Sequence, residues 1–235
     1  MKELIKKELN KFSLEPSLID NFIESVSEGL NQNGIEIWIN TIKSFSNSQT
    51  SRIIIKNIIE ETPAILRSIP QSQYLEWVKQ CYRISEVSED LSITYVNATT
   101  GVIENLKPRH LLDWGNIGLS LYRSSKNSTS LVNNFFKYSP SLCLKLNYEE
   151  LEILNDTLKR ISTRSISFSI KILDWVLKIS SIAPSDLTSW NRVINLVSKK
   201  LIKDFEEIFT ILAENSDLIN ENKTFLNLLS LVTVS

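Results

Sequence analysis

The only histidine of the chain, His110, follows Arg109 and stands one helical turn before Asp113. A histidine oriented by a carboxylate is the core of general acid–base chemistry. That chemistry needs a reacting partner, and no G-x-S-x-G nucleophile elbow occurs. Arg109 and His110 are therefore read as a polar, solvent-facing turn. Gly115 and Gly118 lie three apart in the next turn. Such a pair admits close backbone approach, either to a ligand or to a neighbouring helix. Glycine within a helix costs about 1 kcal/mol against alanine, so tight helix packing is the expected reason. Cys81 and Cys143 lie 62 positions apart. With one histidine they cannot complete a four-ligand zinc site, and they read as small buried hydrophobes in a cytoplasmic protein.

The remaining chemistry-bearing residues are equally sparse. Carboxylate pairs occur at Glu60–Glu61, Glu149–Glu150 and Glu206–Glu207, none in metal-binding register with histidine. Glycosidase chemistry needs two carboxylates across a cleft, which spacing alone does not test. Neither common glycine-rich phosphate cradle is present. Basic residues form two small groups, Arg52 with Lys56 and Lys199 with Lys200 and Lys203; Asp204, Glu206 and Glu207 dilute the second. With a net charge of −1, no global field favours nucleic acid or anionic lipid. No catalytic residue, cofactor or metal is expected, and the chain is not read as an enzyme.

The elements that would position these residues are helical. The chain has 235 residues, 42% of them hydrophobic, which is enough to bury a core. Five glycines and six prolines are too few for most all-β folds. No run of about 18 apolar residues exists to span a membrane, and the charged N-terminus has no signal-peptide stretch. Leu4, Ile5 and Leu9 line one side of a first short helix. Pro16 opens a second, with Leu18, Ile19, Phe22, Ile23, Val26 and Leu30 at helical spacing. Asn31 to Gly34 are expected to end it. Residues 166–172 alternate like a strand, but Leu173, Val176 and Leu177 continue at a helical period, which predicts helix.

The tryptophans keep time. Trp38, Trp77, Trp114 and Trp190 are separated by 39, 37 and 76 residues, and Leu154 holds the missing beat. Pro70, Pro108 and Pro184 precede their tryptophans by 7, 6 and 6 residues, the place of a helix start. A mid-repeat marker follows each beat at +25, +24 and +26, in Pro63, Gly101 and Pro140. Thr62, Thr100 and Ser139 are then expected to cap a short third helix. The Ser-rich segment 124–130 is expected to be a loop of about seven residues between helices. A fixed period of this length is the mark of stacked helical repeats. The apolar end of the chain, 228–234, is expected to be a buried final helix or the edge of a longer protein.

Residues 111–119, LLDWGNIGL, followed by 133–142, NNFFKYSPSL, resemble the helical region before the von Willebrand A domain in large bacterial proteins of the nitric-oxide-reductase activation (NorD-like) type. The resemblance implies a helical-repeat module that works beside a MoxR-type AAA+ ATPase. It implies no catalytic residue.

The expected fold is all-α. It is an α-solenoid of HEAT-like repeats with a period of about 38 residues, capped by residues 1–34 and continuous over 35–235. Trp38, Trp77, Trp114, Leu154 and Trp190 are its structural repeat positions. Arg109, His110, Gly115 and Gly118 are packing or interaction positions. The expected function is a non-catalytic, cytoplasmic scaffold that binds protein and uses no cofactor, and the resemblance implies that it couples a von Willebrand A domain to a MoxR-type ATPase. The alternative is a nucleic-acid-binding repeat protein shaped like the alkylation-repair glycosylases.

Overall fold

A computed structural model describes residues 2–46, 48–182, 185, 187–200, 207, 209 and 210. The described residues form eleven α-helices and two short 3-10 turns, with no strand among them. The helices are α1 (Lys2–Leu9), α2 (Pro16–Gly29), α3 (Gln32–Ser44), α4 (Gln49–Ser68), α5 (Gln71–Val87) and α6 (Glu89–Ile103). They continue as α7 (Leu111–Ser124), α8 (Thr129–Cys143), α9 (Tyr148–Ser162), α10 (Ile166–Ile182) and α11 (Leu187–Lys200). Pro184 and the apolar segment 228–234 lie outside the described residues.

The chain divides into two compact units, residues 1–116 and 117–235, with the division inside α7. In the first, α2 packs on α4, α3 on α5, and α4 on α6, while α1 covers α2 and α3. In the second, α8 packs on α10 and α9 on α11. Each unit thus sets a helix against the one next but one in sequence. Buried isoleucines make much of this core: Ile54, Ile55, Ile58 and Ile59 of α4 are at most 1% exposed. Their helix propensity is lower by tenths of a kcal/mol, whereas burying each side chain is worth about 1.5–3 kcal/mol. The same balance makes 166–172 helical: Phe168, Ile172, Leu173, Val176 and Ile179 are all buried, at helical spacing.

Helix starts follow simple capping chemistry. Pro16 occupies the first turn of α2. Serine hydroxyls accept from the backbone N–H three residues on at Ser48 (2.9 Å), Ser88 (3.4 Å), Ser128 (3.4 Å) and Ser165 (3.1 Å). These four begin α4, α6, α8 and α10. Asn147 opens α9 in the same way, accepting from Glu150 at 3.0 Å. Asn31 does not end α2 as its composition predicts. The Leu30 N–H closes α2 on Val26, and the Asn31 side chain accepts from Gly34 at 2.8 Å to start α3.

The mid-repeat markers behave differently from expectation. Pro63 lies inside α4, Gly101 inside α6 and Pro140 inside α8, so no short third helix begins there. Thr62, Thr100 and Ser139 cap nothing. The Thr62 and Ser139 hydroxyls donate back to the carbonyls of Ile58 (2.6 Å) and Phe135 (2.7 Å), while Thr100 donates to Glu61. The physical reason is burial. Ile65 and Leu142, two residues past each proline, are fully buried. Their packing holds the last turn helical although proline removes one ladder bond. The serine-rich connection is also shorter than expected, only residues 125–128. Lys126 and Asn127 turn it with φ of 53° and 64°, and the Asn127 N–H closes α7 on Tyr122 at 3.0 Å.

Candidate functional site

The repeat positions fall on alternate helices. Trp38 lies on α3, Trp77 on α5, Trp114 on α7, Leu154 on α9 and Trp190 on α11, each at most 1% exposed. Each tryptophan meets another aromatic ring. Ring centroids are 4.7 Å apart for Phe22 and Trp38, 5.8 Å for Tyr74 and Trp77, and 4.8 Å for the stacked Tyr95 and Trp114. Trp175 and Trp190 meet edge to face at 5.2 Å. The Trp77 indole N–H donates to Thr99 Oγ1 at 3.0 Å, and Thr62 shares a 2.8 Å hydrogen bond with the Tyr74 hydroxyl. Large rings fill helix junctions here, and Trp77 and Tyr74 have their polar ends paired; none of the repeat positions faces solvent.

Gly115 and Gly118 have packing reasons of different strength. A Cβ on Gly115 would stand 3.0 Å from the Tyr95 ring and 3.1 Å from Gln80 Cγ. A Cβ on Gly118 would enter the Phe136 ring, standing 3.0 Å from Cε2 and closer still to Cζ. Both glycines are buried against side chains of the fold itself. Arg109 and His110 lie in the 3-10 turn Pro108–His110, which has no buried residue. The Arg109 Nε donates to His110 Nε2 at 3.1 Å, and Nδ1 stands 3.6 Å from a carboxylate oxygen of Asp113, itself 47% exposed. That spacing exceeds a direct hydrogen bond; Arg109 faces solvent as expected, whereas the His110 side chain is half-buried, 20% exposed.

The residues that sequence reasoning missed are the polar links between helices two apart. In the first unit the Gln71 side chain accepts from the Asn31 N–H (3.0 Å), and Asn57 donates to Asn97 (2.7 Å). Ser48 and Ser51 both donate to Glu89 at 2.9 Å. In the second, Tyr138 donates to Asp174 (2.9 Å) and Arg160 to Ser198 (2.6 Å). The densest set joins α9 to α11. Arg192 donates twice to one carboxylate oxygen of Glu150, at 2.9 and 2.5 Å, and Asn191 and Asn195 donate to the carbonyls of Glu150 and Ile153. Glu150 is 2% exposed. The sequence separations of these links run from 36 to 42. Ser48, Ser88 and Ser128 recur at steps of 40 residues, but Ser88 and Ser128 serve as helix caps, so this recurrence marks helix starts and not the links.

Local electrostatics follow from these contacts. The two serine hydroxyls hold the Glu89 carboxyl below the ordinary value of 4.5. Its place at the start of α6 also suits a negative charge. A hydrogen bond from Lys11, aided by the charge of Lys43, lowers Glu8 likewise. Burial pushes the Cys143 thiol up to about 12 and Cys81 well above its usual value. Neither cysteine is a thiolate at neutral pH, so neither is poised as a nucleophile.

Among the described residues no group of three or more His, Cys, Asp or Glu is placed to hold a metal, and no helix is long and apolar enough to cross a membrane. Two pockets in the first unit, of about 340 and 120 Å³, are lined by Lys2, Lys6, Asp20 and Glu24 and by Glu8, Lys11, Phe12 and Lys43. Acids and bases face each other in both. Comparison with protein-family models, with curated proteins and with solved structures gives no match.

Proposed function

We propose that this chain is a non-catalytic scaffold of stacked helix pairs, an α-solenoid of HEAT-like units, whose work is to bind a protein partner. The observation that carries the reading is the recurrence of half-buried polar links between helices two apart, at separations of 36 to 42 residues. These links keep the period of the tryptophans. Side chains of the kinds that usually do chemistry are used here to join helices: Glu89, Glu150, Arg160 and Arg192 each hold a neighbouring helix. Stacked helix pairs leave broad outer faces, and such faces suit extended partners.

The sharper form of the proposal is that the partners are a von Willebrand A domain and a MoxR-type AAA+ ATPase. It rests on the resemblance of residues 111–119 and 133–142 alone. The test is a calorimetric titration of the purified chain with each of these proteins from the source organism, and in parallel with duplex DNA at about 0.15 M salt. Saturable binding to either protein, with no DNA binding, supports the proposal. Sub-micromolar DNA binding with a steep salt slope, and no protein retained, overturns the scaffold reading. Failure of both named proteins to bind refutes the sharper form.

A further inference from the structure

We draw no further inference here: the strongest candidate, the amide pair of Asn57 and Asn97 on α4 and α6, is an exposed contact between two helices of the fold, and nothing in the structure shows what covers it.

Discussion

Replacing Gly118 by alanine sets two opposing effects against each other. In a solvated helix the change would stabilise the protein by about 0.5–1 kcal/mol, through lower chain entropy in the unfolded state. Here the new methyl points into the Phe136 ring. That ring is fully buried, between α7 and α8 of the second unit, and carbon atoms prefer separations of about 3.5–4.0 Å. The ring must therefore shift by more than half an ångström in a close-packed core. Overpacking of this kind costs about 1–3 kcal/mol, so Gly118→Ala is expected to lose about 1–2 kcal/mol net. Gly115→Ala is the internal control. Its neighbours stand at 3.0–3.1 Å and include the Gln80 side chain, which can yield by a few tenths. The two terms then nearly cancel, and a change within about 0.5 kcal/mol is expected. Urea melts followed by circular dichroism measure both. The double variant Gly118→Ala with Phe136→Leu should recover part of the loss relative to Phe136→Leu alone. A stabilising Gly118→Ala would refute the packing argument, because propensity would then be acting without opposition.

Three further outcomes are expected. Thr99→Val removes the acceptor of the buried Trp77 indole N–H and should cost about 1–3 kcal/mol, whereas Thr99→Ser should cost less; equal losses in thermal melts would show that the methyl, not the hydroxyl, matters. Lys126→Gly relieves a side chain held at φ 53° and should stabilise by about 0.5–1 kcal/mol in the same melts, a destabilisation refuting it. Glu89→Ala should destabilise at neutral pH by about 1–2 kcal/mol, through the lost bonds from Ser48 and Ser51. Because the folded pKa of Glu89 is lowered, its contribution is present above the unfolded value and lost as pH falls through the folded one. The gap between wild type and variant should therefore close below about pH 4; a gap constant with pH would contradict the assignment.

Much of the fold was legible because its strongest signals are local. Pro16 marks a helix start by itself, and helical spacing from Phe168 to Ile179 outweighs the alternation of residues 166–172. The tryptophans were legible as core positions because a large ring seldom stays exposed, although Leu154 fills one such buried place without a ring. The errors lie where tertiary packing overrides local preference. Pro63 and Pro140 look like helix starts, but buried Ile65 and Leu142 keep their helices continuous. Asn31 reads equally well as the end of one helix or the cap of the next, and only its bond to the Gly34 N–H decides. The link between Glu150 and Arg192 spans 42 residues. No spacing rule picks that carboxylate out from Glu149 beside it; burial does.

The placement of these links bears on why polar groups are buried at all. Apolar attraction has no direction. Stacking by burial alone would tolerate a pair packed on the wrong neighbour or slipped along it by a turn. A buried carboxylate without its partner is costly, whereas a satisfied one contributes little net stability. Glu150 is satisfied only when Arg192 and Asn191 stand opposite it, which requires α11 on α9 in one register. Glu89 is only half-buried and makes a weaker demand of Ser48 and Ser51, which still ties α6 to α4. On this argument the polar links discriminate between arrangements more than they stabilise the correct one.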